Sequence, residues 1–485
     1  MIILNKAHDM RLSTKVAYNT IIQTISKTIA IFLGLVSVAI MTRYLGADGF
    51  GEYTTIMTFL SFFAIVADFG LTLVTVQMIS RPDADENNII NNLFTLRLVS
   101  GLIFLSLAPI VALFFPYNQA IKIGIAIAAA SFLFSALNQI LVGLFQKKLR
   151  LDKVSLAEVA GRISLLFLVI AATYYNYGLL GMLLATIAAS FVSFVLHFWY
   201  SRLYVKIKLA FDFVLWKNII AKSWPLAITI FFNLLYLRAD ILILSLIKTQ
   251  TEVGIYGAAY KVIDVLASLP FVFAGIILPI LTASWEKGDQ MSFKKVLQKS
   301  FDLMVVLAIP MMVGTEIFAN KIMTLVAGNE FSESGKVLKI LILAAVLIFL
   351  ACMFSHAIIA IDKQKKIIWL YIFTSITALI GYLWFIPRYS YIGAAWVTIY
   401  AEAVIFLGAL FYIWKQTKFF PNLAIGLKSL VASGIMALVA FLMPASLLEG
   451  RMFLLAVVLL SLTYFTALYL LGGISKNDIK NILNK

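Results

Sequence analysis

Charge is scarce in this chain. Asp, Glu, Lys and Arg make up 13% of its 485 residues, about half of what a soluble domain carries, while hydrophobic residues supply 62%. A solvated globular surface is thereby excluded. The single cysteine, Cys352, cannot form an intrachain disulfide, and inside an apolar run it reads as a small core hydrophobe. With three histidines and no His/Cys/Asp/Glu cluster there is no pattern for a metal, and no cofactor is expected. No G-x-x-x-x-G-K followed by Ser or Thr occurs, so the chain has no motif for cradling ATP. No connection between apolar runs is long enough for a separate soluble domain, which puts any activity among the apolar segments or at their ends.

What is present is a series of long apolar runs. With a window of about 19 residues, stretches of membrane-spanning length recur about 14 times. They cover 17–42, 54–80, 94–114, 119–144, 155–175, 178–201, 223–247, 253–282, 297–318, 337–360, 366–386, 391–414, 423–443 and 452–472. The expected fold is an all-α integral membrane protein. The run from Val16 to Met41 is too long for a signal-peptide core and reads as an uncleaved first span.

The net charge of +16 comes from Lys and Arg spread in short groups between the runs, unlike a nucleic-acid footprint. Of the 39 basic residues, roughly 26 fall on the side that also holds the N-terminus, and about 8 on the other. Lys147-Lys148-Leu149-Arg150, Lys206 with Lys208, Lys294-Lys295 and Lys363-Gln364-Lys365-Lys366 share that side. By the positive-inside rule both termini are cytoplasmic; the clusters fix topology or, alternatively, touch anionic lipid.

Gly51-Glu52-Tyr53, opening the second span, has a counterpart in Gly254-Ile255-Tyr256, opening the eighth. Six spans separate them, so the copies have one orientation, as in two-lobed transporters with parallel repeats. The expected organisation is an N-terminal lobe at 1–202 (spans 1–6), a cytoplasmic interfacial linker at 203–222, a C-terminal lobe at 223–418 (spans 7–12), and spans 13–14 with a cytoplasmic tail at 419–485. The linker, with Lys206, Lys208, Phe211, Phe213 and Trp216, suits either a helix along the inner interface or an ordinary long loop.

Several charges fall inside spans, where each costs roughly 2.5–3.5 kcal/mol. Lys27 and Asp68 sit near the middle of the first and second spans. Arg238 and Asp240, two apart in the seventh, lie on nearly opposite sides of a helix and cannot simply neutralise each other, whereas Lys261 and Asp264 in the eighth share a face and can pair locally. Glu402 is near the middle of the twelfth with no neighbour of opposite sign; if buried it is protonated or paired across helices, which makes it a candidate for ion coupling. Glu158 and Arg162 read as an interfacial pair four residues apart, Arg97 and Asp302 as end residues that snorkel to water, and His197 and His356 as interfacial. A shared hydrated cavity is the economical home for Lys27, Asp68, Arg238, Asp240, Lys261, Asp264 and Glu402, with the basic members suited to phosphate.

The run Arg43-Tyr44-Leu45-Gly46-Ala47-Asp48-Gly49-Phe50-Gly51-Glu52-Tyr53, followed by Asp68-Phe69-Gly70-Leu71, resembles the first two spans of the polysaccharide-repeat (Wzx-like) flippases. Arg238-Ala239-Asp240, Val253-Gly254-Ile255-Tyr256 and Pro279 fit the same branch of the multidrug/oligosaccharidyl-lipid/polysaccharide exporter superfamily. The resemblance implies two six-helix lobes plus two C-terminal helices, and alternating access rather than enzymatic chemistry. It also implies a polyprenyl-diphosphate-linked oligosaccharide as partner, and O-antigen, capsule or exopolysaccharide assembly at the inner (plasma) membrane. Carried onto this sequence, the substrate-binding positions are Lys27, Asp68, Arg238, Asp240, Lys261 and Asp264. Glu402 is a possible coupling residue for H+ or Na+. An anion of charge about −2 leaving a negative interior gains roughly 4–5 kcal/mol per 100 mV. Two rivals stand beside this: a drug or cation antiporter of the same fold, for which a carboxylate-rich site is expected, and a membrane enzyme of polysaccharide assembly, which needs a longer loop than any here.

Overall fold

The structure, a computed structural model, describes residues 12–80, 85–448, 450 and 452–473. The first 11 residues and 474–485, expected to lie in the cytoplasm, fall outside this set. Among the described residues there is helix and no strand. The helices are α1 (Leu12–Asp68), α2 (Leu71–Ile79), α3 (Glu86–Ala112), α4 (Gln119–Lys147), α5 (Leu151–Tyr174), α6 (Gly178–Ser201), α7 (Phe213–Ile247), α8 (Gln250–Glu286), α9 (Gln290–Ala327), α10 (Ser334–Ala360), α11 (Gln364–Thr417), α12 (Ala424–Leu442) and α13 (Met452–Leu470). Short 3-10 turns follow α9 (Asn329–Phe331) and α12 (Ala445–Leu448).

Among the described residues, 12 helices are long and apolar enough to cross a bilayer. Two of them are too long for one crossing. α1 has 57 residues and α11 has 54, about 80–85 Å each against an apolar layer of about 30 Å. Each contains one non-helical residue, Gly46 (φ 67°, ψ −177°) and Ser390 (φ 50°, ψ −138°), at the places where the apolar pattern separates spans 1 from 2 and 11 from 12. Twelve helices and 14 spans thus describe the same chain. Local chemistry sets the helix starts: Asp85, Asn118 and Asp212 each accept a backbone N–H three residues on, as N-caps do.

The chain forms two compact units. Unit 1 comprises residues 1–258, 324–331 and 379–394, and unit 2 comprises 259–323, 332–378 and 395–485. In unit 1, one apolar cluster joins α2, α3, α4 and α7 through Leu71, Leu93, Leu141, Phe145 and Ile219, and another packs Ile56, Phe59 and Leu60 against α3 and α4. In unit 2, Phe293, Phe301, Phe354 and Ile413 join α9, α10 and α11, while Met436, Phe453 and Tyr464 bind α12 and α13 to α9.

Of the two forms open to the linker at 203–222, an interfacial helix or a long loop, its first half takes the extended one. Residues 205–212 have no regular structure, and α7 begins at Phe213. Their backbone N–H groups at Lys208, Ala210 and Asp212 donate to Asn91, Thr95 and Asn92 of α3 at 2.9–3.0 Å. Asn92 also accepts from Trp216 Nε1 at 3.0 Å. These polar side chains satisfy backbone that a helix would have satisfied itself.

Candidate functional site

The second span does not run unbroken. Phe69 (φ 45°) and Gly70 (φ 74°) are left-handed and separate α1 from α2 in mid-span. Such a break frees backbone groups where water is absent, and side chains must serve them. Asp68 Oδ2 accepts the Gly70 N–H at 3.2 Å, and Ser100 Oγ donates to the Ala67 carbonyl at 2.9 Å. The Thr72 hydroxyl lies 2.7 Å from both Asp68 Oδ1 and Gln139 Oε1.

Arg97 of α3 completes this group. Its Nη1 is 2.7 Å from Asp68 Oδ1, off the line of a good hydrogen bond, so the contact is chiefly Coulombic. Nη2 donates to Gln139 Oε1 at 3.0 Å and Nε to the Ala136 carbonyl at 3.3 Å. Arg97 is 2% exposed and therefore does not snorkel to water. The carboxylate at the break gives it a partner inside the unit. His197, expected at the interface, is also buried at 1%, its Nδ1 donating to the Ser193 carbonyl at 2.8 Å.

The other predicted residues of unit 1 fall apart from this group. Asp240 is fully buried and accepts from the Tyr256 hydroxyl at 2.6 Å and the Ile241 N–H at 2.7 Å; Arg238, two residues earlier, is half-buried. Lys27 is exposed on the first span and acts electrostatically on half-buried Glu158 of α5, as does exposed Arg162. Arg162 lies against Gly34, where an added Cβ would sit 3.7 Å from its Nη1. Gly34 is two helical turns beyond Lys27 on one face of α1, so Lys27 is beside Glu158 and Arg162 is one turn further along. The intrahelical Glu158–Arg162 pair does not close: among the described residues, neither Lys27 nor Arg162 has an ion-pair partner within 4.0 Å.

In unit 2, Lys261 and Asp264 are half-buried on α8, and Asp302 is half-buried and accepts from Gln298 Nε2 at 2.8 Å. Glu402 is 3% exposed on α11. Its electrostatic neighbour is Tyr371, which hydrogen-bonds Ser355 and also senses Cys352. His356 is close by in sequence, its Nδ1 donating to the Cys352 carbonyl at 2.8 Å. Among the described residues, no cation pairs with Glu402. No group of three or more His, Cys, Asp or Glu among them is placed to hold a metal ion.

The structure therefore gives Asp68 to Arg97 and Asp240 to Tyr256, and leaves Lys27 with Glu158 and Arg162. Sequence reasoning missed the place of Arg162 because spacing alone favoured a local pair. It missed Arg97 because the break at Phe69–Gly70 leaves hydropathy unchanged.

Long apolar helices, with polar side chains serving breaks at membrane depth, define an all-helical multi-pass membrane protein. Residues 40–336 match the family described as polysaccharide biosynthesis protein, and the chain belongs to it. The resemblance read from the Gly46–Tyr53 corner is borne out. The chain is similar to the probable low-salt glycan biosynthesis flippase Agl15 of Haloferax volcanii, 25% identical over 317 residues that cover 64% of this chain. It spans 64% of that curated relative's length, just under two thirds. Its fold is similar to that of the lipid II flippase MurJ in an inward closed conformation, with a TM-score of 0.74 and 17% identity over 94% of this chain and 99% of that one. It also resembles an inward-facing multidrug resistance MATE family transporter of the MOP superfamily, with a TM-score of 0.67, 16% identity, and 80% and 95% coverage.

Proposed function

We propose that the protein is a flippase that moves a polyprenyl-diphosphate-linked oligosaccharide repeat unit from the cytoplasmic to the outer leaflet by alternating access. It serves assembly of a cell-surface polysaccharide of the O-antigen, capsule or exopolysaccharide kind. It is a transporter rather than an enzyme, resides in the inner (plasma) membrane and keeps both termini in the cytoplasm.

One observation carries the reading. Lys27 and Arg162 are exposed within spanning helices, have no ion-pair partner among the described residues, and both act on the single carboxylate of Glu158. Charges at such depth are costly in contact with lipid, and an excess of cation suits a diphosphate, with Arg as a fork and Lys as a point charge. Arg238 in unit 1 and, within unit 2, Lys261 with Asp264 beside it on α8 are further groups proposed to contact the substrate. Asp68 and Asp240, committed to Arg97 and Tyr256, shape unit 1 and do not meet the substrate. The family membership and the flippase named among its relatives support the same function.

Glu402 supports a coupling role for H+ or Na+, because a buried carboxyl without a cation can be filled by either ion. A drug or cation antiporter is the second reading, favoured by the likeness to the MATE structure. A cation site would gather carboxylates, and two of those in unit 1 are already engaged. Lys27→Ala is expected to abolish glycan export, with lipid-linked intermediate accumulating in the inner leaflet and the protein still in the membrane. Normal export by both Lys27→Ala and Arg162→Ala would remove the anion site.

A further inference from the structure

Arg43 stands three residues before the break at Gly46, and its exposed guanidinium reaches the end of α9. Nη1 donates to the carbonyl of Val326 at 2.9 Å, and Nη2 to those of Leu325 and Thr324 at 2.5 and 3.2 Å. The carbonyls of a last helical turn lack partners within the helix and form the negative end of its dipole. Arg43 is therefore the C-cap of a helix whose end lies more than 280 residues away in sequence.

Glu330, just beyond that end, does the converse. Its Oε2 accepts the Ala47 N–H at 3.3 Å, the first donor after the break and hence the positive start of the second span. A Cβ at Gly46 would come within 2.8 Å of the same oxygen, so the glycine also makes room for the carboxylate. The two side chains exchange caps: each charge sits on the end of the other's helix.

Most of the surrounding contact is of the same kind, the exception being Phe331, which sits edge-on to Phe50 with ring centroids 6.0 Å apart. Gly51 and Gly254 meet backbone to backbone; a Cβ on the first would fall 1.7 Å from the Gln250 carbonyl oxygen, and one on the second 1.9 Å from that of Ala47. The Thr55 hydroxyl donates to Gln250 Oε1 at 2.7 Å, the Thr251 hydroxyl to Asp48 Oδ1 at 3.2 Å, and Ser390 to Glu252 Oε1 at 2.5 Å. All of these lie within unit 1, whose helices elsewhere interlock through apolar clusters. Parting an apolar cluster opens a cavity, which is costly. Parting glycine backbones leaves no side-chain hole, and exposed charged hydrogen bonds are exchanged for water at small net cost. This rim of unit 1 is built to separate.

We propose that the exchanged caps of Arg43 and Glu330 form a latch, closed in this conformation and released in each transport cycle as 324–331 and the start of α8 leave the corner of α1. The proposal rests on the alternating-access reading and gives it a specific fastening.

The test uses the full-length chain with Cys352→Ala as parent, carrying Asp48→Cys and Thr251→Cys across the rim. Oxidation is expected to stop glycan export and reduction to restore it. In a second arm, labelling of Thr55→Cys, a rim position that is 1% exposed when closed, by a water-soluble maleimide is expected to rise about fivefold when Arg43→Gln or Glu330→Gln is added, as a shifted population of the open rim requires. Reversing the two charges, Arg43→Glu with Glu330→Arg, is expected to label as fast as the single variants, since each charge matches a helix end rather than its opposite number. Export that continues through the oxidised pair, labelling unmoved by Arg43→Gln, or labelling returned to the parent rate by the reversal would each overturn the latch. Absence of export from the reduced pair and from the parent would overturn the flippase reading instead, and the labelling arm would still decide the latch.

Discussion

Asp68 in unit 1 and Glu402 in unit 2 are buried to nearly the same degree, 7% and 3% exposed, yet they are handled in opposite ways. Asp68 stands at a break in its helix, accepts a backbone N–H and has a guanidinium 2.7 Å away. Glu402 stands in an unbroken stretch of helix with a tyrosine as its electrostatic neighbour and, among the described residues, no cation. The difference teaches that depth does not separate structural from exchangeable charge; the partner does. A carboxylate whose charge is matched on site is part of the scaffold, while one without a match is the place proposed for a coupling ion.

The largest effect that would break this contrast is expected from Arg97→Ala, which leaves Asp68 buried without its cation. A loss of about 3–5 kcal/mol is expected, read as lower membrane abundance and a lower unfolding midpoint in detergent. Arg97→Met combined with Asp68→Leu should recover most of it, because removing both charges removes the mismatch. If Arg97→Ala left abundance untouched, Asp68 would belong with Glu402 as an exchangeable group.

Next is Glu402→Gln, with normal abundance expected and export no longer dependent on the imposed ion gradient. Persistence of that dependence in vesicles carrying Glu402→Gln would take the coupling role from unit 2. A smaller effect is expected at the polar tether: Asn92→Ala should destabilise by about 1–3 kcal/mol, seen as faster proteolysis in 205–212, because it strips acceptors from Asp212 and Trp216. Smallest is Ser390→Ala, expected to destabilise by about 0.5–1.5 kcal/mol because Glu252 Oε1 loses the hydroxyl that donates to it, detectable as a slight fall in thermal midpoint.

Span positions were legible in the sequence because apolar length is nearly all that a bilayer demands, and the Gly46 corner because glycine marks it. The corner at Ser390 showed only as a gap in the apolar pattern, since serine carries no signature of positive φ. Of the candidate site, the sequence located the charges but not their partners. Lys27 and Asp68 lie on adjacent spans, yet Asp68 answers to Arg97 and Lys27 to Glu158, contacts that helical periodicity does not encode. The cap exchange was invisible for the same reason: Arg43 and Glu330 each serve a helix to which they do not belong.

A membrane helix interrupted at Phe69–Gly70 is a joint rather than a rod. The carboxylate of Asp68 is the pin: it holds Gly70 and Thr72 across the break and Arg97 of α3 beside it. Bending of the second span at this joint would have to loosen a carboxylate held from both sides.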